Sequence, residues 1–180
     1  MNFLGKVWGY KMARRKYGTN KTLHYNIDFS YIFLALVLVF YQVLSSIFTH
    51  LPILIGFFFC YMYSLLQEKD ETLYDLDFRW YFSLVYLLFI DITHDFYLFV
   101  SWICFFVFYY FCADWIRTNF KIGKFVPIFF VFCTYLLFCV FDSILSYIDN
   151  ANIKIFGRDY FISMGVEALL CYLFFKDKIR

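Results

Sequence analysis

Apolar residues fall in long runs along the chain, and each run is bounded by charged residues or by residues that favour turns. Runs of this kind are typical of membrane-spanning helices. Six such segments are predicted, at 29–49, 51–66, 79–92, 96–116, 125–148 and 159–175. The second and third are short for a hydrocarbon core of about 30 Å, so tilted, interfacial and re-entrant placements stay open for them.

Composition supports a membrane location. Of the 180 residues, 63% are hydrophobic and 27% are aromatic, with 28 Phe and 17 Tyr. A soluble domain of this size cannot bury so much apolar surface. At roughly 20 residues per spanning helix, the length accommodates about six spans and no folded soluble domain. The sequence therefore predicts an all-α integral membrane protein, a compact bundle of about six transmembrane helices, with its membrane domain at 28–176.

Positive charges divide unequally between the two sides of this bundle. If the six helices cross in alternation, all 16 Lys and Arg residues except Lys154 and Arg158 lie on one side. Cytoplasmic loops carry such an excess, so both termini are predicted to be cytoplasmic, including the C-terminal end at 177–180. The N-terminal tail, 1–27, either lies on anionic lipid as a short amphipathic helix or serves as a flexible arm. Its basic residues are Lys6, Lys11, Arg14, Arg15, Lys16 and Lys21.

A few polar side chains interrupt the apolar runs. An ionised carboxylate inside the membrane costs several kcal/mol unless it is paired, hydrogen-bonded or protonated. The residues of this kind are Gln42, Asp91, Asp142 and Glu167. Two interpretations are open: the four line a shared polar pocket or proton-coupled path, or they form interhelical hydrogen bonds that lock the bundle.

The stretch LFIDITHDFYL, at 88–98, is predicted to form an outer hairpin with His94 and Asp95 at the surface. Asp95 is predicted to cap the N-terminus of the fourth helix. A metal site of His50, Asp91, His94 and Asp95 is chemically feasible, because imidazole and carboxylate suit zinc or manganese. The spacing matches no zincin helix, and solvated loop histidines are the favoured interpretation, so no metal site is predicted.

Other chemistry has little sequence support. The six cysteines form no CxxC pair and are predicted to be buried free thiols. No phosphate-binding or dinucleotide motif appears, so neither a cofactor nor a nucleic-acid partner is predicted. No nucleophile motif or oxyanion hole accompanies the carboxylates, and no catalytic residue is assigned. A membrane enzyme that uses His94 and Asp95 stays a minority hypothesis.

Three stretches resemble the MreD family, the small integral-membrane proteins of the bacterial rod-shape system. LPILIGFFFCYMYSL, from Leu51, is similar to the family's proline-led second helix, with Ile53 where the family often has an acid. VYLLFIDITHDFYLF, from Val85, is similar to the third helix, whose Asp maps to Asp91, although the family's surrounding glycines are replaced by bulky residues. The fourth helix ends in a basic residue, Arg117, as it does in that family.

The resemblance implies a non-enzymatic scaffold of the cell-elongation machinery in the bacterial inner membrane. Its partners would be membrane lipids, MreC, MreB, and the peptidoglycan synthase of RodA and a penicillin-binding protein. Asp91 would hold the third and fourth helices in register. A similar six-helix plan occurs in the substrate-binding subunits of energy-coupling-factor vitamin transporters. In that alternative, Asp91, Asp142 and Glu167 would line a ligand cavity in the outer half of the bundle.

Overall fold

The computed structural model describes residues 29–48, 50–72, 78–119, 123–150, 157–176 and 179. Every regular element in these ranges is helical, which confirms the all-α fold class. The basic tail at 1–27 lies outside the described residues, as does the end at 177–180 apart from Ile179, which is buried. The helices are α1 (Phe29–Ile47), α2 (Ile55–Thr72), α3 (Phe78–Thr93), α4 (Val100–Asn119), α5 (Val126–Ile148) and α6 (Arg158–Phe175).

Two of these helices are long and apolar enough to cross a membrane. They are α4, with 20 residues and a mean hydropathy of 1.2, and α5, with 23 residues and a mean hydropathy of 2.3. A shorter apolar stretch in α1 covers Ile32–Ile47. The structure thus supports membrane helices in the chain and gives the helical segments from which a six-span arrangement would be built.

The helix α2 begins and ends later than predicted. It was expected at 51–66, yet the chain stays non-helical through Leu54, whose φ is 70°, and the helix then continues to Thr72. The start moves because Pro52 restricts the residue before it and a left-handed residue interrupts helical hydrogen bonding. The end moves because Gln67, Glu68 and Lys69 are good helix formers, so the acidic stretch extends the helix.

The helix α4 also begins later than expected, at Val100 rather than at 96, and the predicted capping role of Asp95 is wrong. Phe99 occupies the N-cap position of α4. Asp95 instead lies just past the end of α3 with a φ of 55°, and the Phe96 amide donates to the Asp91 carbonyl at 2.9 Å. This is a Schellman ending, in which a left-handed residue terminates the preceding helix.

Helix α4 changes its winding near its middle. An α-helical part at Val100–Val107 is followed by a π-helical turn at Phe108–Ala113 and a second α-helical part at Asp114–Asn119. A π turn widens a helix locally and shifts the face that its later residues present. Tyr110 and Phe111, in this turn, are among the most exposed aromatic side chains described, at 72% and 75%.

The connections between helices lie at two opposite ends of the bundle. At one end, the Tyr41 hydroxyl donates to the Pro52 carbonyl at 2.8 Å, and the Tyr97 hydroxyl lies 3.5 Å from an Asp149 carboxylate oxygen. At the other, Arg79 lies 3.6 Å from Glu68, and the rings of Phe125 and Tyr172 stack. Successive helices therefore run in opposite directions, and we call the first end outer and the second inner, after the predicted orientation.

Aromatic side chains supply 11 of the 26 buried hydrophobic residues in the described core. Helices α2, α5 and α6 pack on one another, α4 packs on α5, and α3 lies against α2 and α4. Helix α1 lies at the edge, against α3. Phe59 contacts three phenylalanine rings at centroid distances of 5.2–6.1 Å, in tilted or edge-to-face geometry favoured by aromatic pairs. The buried phenylalanines are Phe58, Phe59, Phe105, Phe108, Phe130, Phe138 and Phe175.

Candidate functional site

Glu167, near the middle of α6, is fully buried and accepts four hydrogen bonds. Its Oε1 accepts from the Leu54 amide at 2.5 Å and from the Tyr135 hydroxyl at 2.5 Å. Its Oε2 accepts from the amides of Gly56 at 2.8 Å and Phe57 at 3.3 Å. These three amides belong to the start of α2, so a carboxylate from one helix caps the N-terminus of another.

The cap is required because α2 starts inside the bundle. His50 contacts Asp159 at the outer end of α6, and Leu54 contacts Glu167 eight residues further along that helix. Eight residues of α-helix rise about 12 Å. The four Cα–Cα steps from His50 to Leu54, together with the lengths of the contacting side chains, can span that distance. The first amides of α2 are thus orphaned about halfway through the bundle, where the protein itself must satisfy them.

Ser163 and Tyr135 complete this cap. The Ile53 amide donates to the Ser163 Oγ at 3.1 Å, and that oxygen lies 2.9 Å from the Tyr135 hydroxyl. If the Ser163 hydroxyl donates to Tyr135 and the Tyr135 hydroxyl donates to Glu167, both hydroxyl protons in this series of hydrogen bonds have an acceptor. We call Glu167, Ser163, Tyr135 and the amides of residues 53, 54, 56 and 57 the Glu167 site. It ties α2, α5 and α6 together.

Gly56 permits the close approach of these three helices. A Cβ atom built on Gly56 would lie 2.9 Å from the Val131 Cγ1 and 3.0 Å from the Glu167 Oε2. Both distances are shorter than ordinary contacts of a Cβ atom, so any larger residue would displace the Val131 side chain or the capping carboxylate. Small residues have this role where membrane helices meet closely.

Asp91 forms a second buried carboxylate site at the outer end of α3. Its Oδ2 accepts from the Ser101 amide at 3.3 Å, and its Oδ1 accepts a hydrogen bond from the Ser101 hydroxyl. The Ser101 hydroxyl also lies 3.1 Å from the Leu87 carbonyl. Ser101 is in the first turn of α4, so Asp91 has the capping role that the sequence analysis gave to Asp95. We call Asp91 and Ser101 the Asp91 site.

Gln42 attaches the edge helix α1 to α3. Its Oε1 accepts from the Tyr86 hydroxyl at 3.0 Å, and its Nε2 donates to the Thr93 hydroxyl at 3.3 Å. One turn later, the Ser45 Oγ lies 3.1 Å from the His94 Nε2. All these contacts come from the C-terminal half of α1.

Gln42, Asp91 and Glu167, three of the four polar residues for which a shared pocket was one interpretation, have different immediate partners. Gln42 bonds to Tyr86 and Thr93, Asp91 to Ser101, and Glu167 to the α2 start and Tyr135. Asp142 is buried in α5, within electrostatic range of Cys104 and Tyr160. The geometry at Gln42, Asp91 and Glu167 is that of interhelical or helix-capping hydrogen bonds, the second of the two interpretations given above.

The histidines at the outer end are engaged with different partners. His50 Nδ1 lies 3.3 Å from an Asp159 carboxylate oxygen, and His94 bonds to Ser45. Within the described ranges, no three His, Cys, Asp or Glu side chains come together in a metal-binding arrangement. The considered grouping of His50, Asp91, His94 and Asp95 is therefore not assembled.

The sequence analysis did not single out Gly56, Tyr135, Ser163 or Ser101. A glycine, two serines and a tyrosine within apolar runs are weak signals, because each is common in membrane helices. The one usable clue was that glycine is rare in this chain: there are only seven, and one of them lies four residues after Pro52.

Comparisons with known proteins give no assignment: no family model, curated protein or solved structure matches the chain.

Proposed function

We propose that the chain is a non-enzymatic, multi-pass scaffold of a bacterial inner membrane, with six membrane-embedded helices and both termini in the cytoplasm. The two apolar helices α4 and α5 support the membrane location. The opposite directions of successive helices and the unequal distribution of Lys and Arg support the orientation.

One observation carries the scaffold proposal: buried carboxylates form part of the internal framework. Glu167 and Asp91 both accept hydrogen bonds from the backbone at helix starts. A carboxylate whose acceptor positions are taken by four internal donors has little capacity left for a substrate. Glu167 and Asp91 are thereby explained as helix caps, and the proposal places function on the outward helix faces.

The interior also favours a scaffold over a vitamin-binding subunit. The alternative requires an outer-half cavity lined by Asp91, Asp142 and Glu167. Aromatic side chains pack between the core helices of the described residues, with Phe138 buried against Phe59 and Phe96. By resemblance, we extend the proposal to an MreD-like role, in which outward aromatic surfaces bind MreC and the RodA synthase complex, close to MreB.

Affinity purification tests this proposal. The tagged full chain is recovered from its native membrane in mild detergent, and co-purifying proteins are identified by mass spectrometry against an unrelated tagged multi-pass protein. Specific enrichment of MreC, RodA or a penicillin-binding protein is expected. Enrichment of an ATPase pair with a transmembrane coupling subunit would overturn the scaffold in favour of a transporter component.

Substitutions on the outward face of α4 give a more specific test of partner binding. Phe111 and Trp115 are 75% and 61% exposed, so a double substitution to Ala should leave the core unchanged and weaken partner recovery. Leu136 and Val140, exposed on α5 at the same spacing, provide the matched control pair. Equal recovery of partners by both double variants would contradict a docking role for this face.

A further inference from the structure

An apolar groove lies between the edge helix α1 and the rest of the bundle. It has a volume of about 390 Å³ and is lined by side chains of α1, α2, α3 and α6. Leu34 and Leu38 form its α1 wall, and Phe58, Phe82 and Phe175 form the opposite one. Hydrogen bonds that attach α1 to α3 and to His94 come from its C-terminal half, from Leu38 to Ser45, toward the outer end.

The groove occupies the inner half of the bundle. Its deepest α2 residue, Phe57, is level with the Glu167 site, about halfway through. Its other limit is the first turn of α3, where Phe78 and Arg79 lie at the inner end. A slot from mid-depth to one end matches the length of a single lipid leaflet, which is about half of a 30 Å hydrocarbon core.

Arg79 is the charged member of the lining and stands at the inner mouth. Its guanidinium lies 3.6 Å from the Glu68 carboxylate, and both side chains are partly exposed, at 36% and 56%. An exposed ion pair of this kind contributes at most about 1 kcal/mol, so it does not prevent Arg79 from binding a stronger anion. Arginine binds phosphate oxygens with two parallel hydrogen bonds.

We propose that this groove is a binding site for an anionic phospholipid of the inner leaflet, with one acyl chain between α1 and the aromatic wall and the phosphate on Arg79. The apolar lining suits a hydrocarbon chain, and the guanidinium of Arg79 at the mouth suits an anionic headgroup on the cytoplasmic side. The site depends on the membrane location and orientation, and it is independent of the proposed scaffold function.

The test uses the full chain purified in mild detergent, with phosphatidylglycerol as the probe and phosphatidylcholine as the neutral comparison. Native mass spectrometry counts retained lipids, and titration of each lipid follows the thermal unfolding midpoint. Wild-type protein is expected to retain one phosphatidylglycerol at about tenfold lower lipid concentration than phosphatidylcholine.

Two substitutions with matched controls locate the site. Ala35→Trp should fill the groove and abolish retention, whereas Leu36→Trp, on the neighbouring exposed position, should not. Arg79→Gln should remove the preference for phosphatidylglycerol, Arg79→Lys should keep most of it, and Lys124→Gln, an exposed cation at the same end, should leave it unchanged.

The results that support the lipid site differ from those that would overturn it. Loss of lipid retention in Ala35→Trp and loss of the preference for phosphatidylglycerol in Arg79→Gln, with both properties kept in the three controls, support the site. Equal retention by all variants would show ordinary surrounding lipid and overturn it, as would equal affinity of the wild type for the two lipids. Because circular dichroism and partner recovery are measured on the same samples, failure of the lipid site is distinguishable from misfolding and from failure of the scaffold proposal.

Discussion

The starts of α2 and α4 are both capped by buried carboxylates, but the capping residues lie at very different separations along the sequence. Each helix follows a left-handed residue, Leu54 at 70° and Phe99 at 69°, and each start is capped by a buried carboxylate. The carboxylate at α4 comes from Asp91, ten residues before Ser101 in the same hairpin. The carboxylate at α2 comes from Glu167, more than a hundred residues away.

This difference in sequence separation determines which helices each cap holds together. Asp91 fixes the turn between two consecutive helices, which the short connection already keeps close. Glu167, with Tyr135 and Ser163, joins α2 to α5 and α6, which lie far from it along the chain. A local cap therefore stabilises a hairpin, whereas a long-range cap stabilises the tertiary fold, and their removal should have unequal effects.

The largest effect is expected for Glu167→Ala. It leaves three amides and the Tyr135 hydroxyl without their buried acceptor, at a cost of about 3–5 kcal/mol in the free energy of unfolding. The measurement is unfolding by sodium dodecyl sulfate in mixed micelles, followed by circular dichroism. Asp159→Ala removes a carboxylate of the same helix from a more exposed pair and should cost under about 1 kcal/mol. Similar losses in both variants would refute the capping role.

Asp91→Ala should have a smaller effect, about 2–3 kcal/mol, because fewer donors lose their acceptor. Combining it with Ser101→Ala tests whether the two side chains act as one unit. The loss in the double variant should fall well short of the sum of the single losses. Strict additivity would show that the Asp91–Ser101 bond contributes little.

These two sites also show which features of the structure can be predicted from the sequence. The helical segments were predictable because long apolar runs identify them, and α3, α5 and α6 begin within one residue of the predicted positions. The hairpin polarity around Asp91 was visible, since its residues are close in sequence, although the cap was assigned to Asp95. The positive φ at residue 95 that makes it a helix ending has no distinct signal, because aspartate suits both roles.

The Glu167 site could not be predicted in the same way. Its partners are backbone amides, which every residue has, and the contact joins residues separated by 111 to 113 positions. The late start of α2 creates the need for the cap, and that start depends on the backbone at Leu54. The presence of Glu167 in an apolar run thus indicated that it needed a hydrogen-bond partner, but not which groups would donate to it.

Substitutions of two glycines are expected to have the next largest effects on stability. Gly56→Ala should destabilise the bundle by about 1–3 kcal/mol, because the new methyl group meets Val131 and the capping carboxylate. Gly165→Ala meets no atom within 4 Å and lies inside α6, so it should stabilise the protein by about 0.5–1 kcal/mol. Opposite signs in the same unfolding assay are expected, and equal signs would contradict close packing at Gly56.

The smallest effect is expected at the edge helix. Gln42→Leu removes bonds to Tyr86 and Thr93 and should cost about 0.6 kcal/mol, the typical value for hydrogen bonds between membrane helices. Proteolysis or hydrogen exchange should report loosening of α1, with α2, α5 and α6 unaffected. Global destabilisation instead would show that α1 is part of the core.

Amide hydrogen exchange at the two helix starts tests the central claim, that buried carboxylates serve as helix caps, most directly. We predict that Glu167→Gln accelerates exchange at Leu54, Gly56 and Phe57 and leaves Ser101 unchanged, whereas Asp91→Asn accelerates exchange at Ser101 and leaves the start of α2 unchanged. Exchange rates at the α2 start that are the same in wild-type and Glu167→Gln protein would contradict the account.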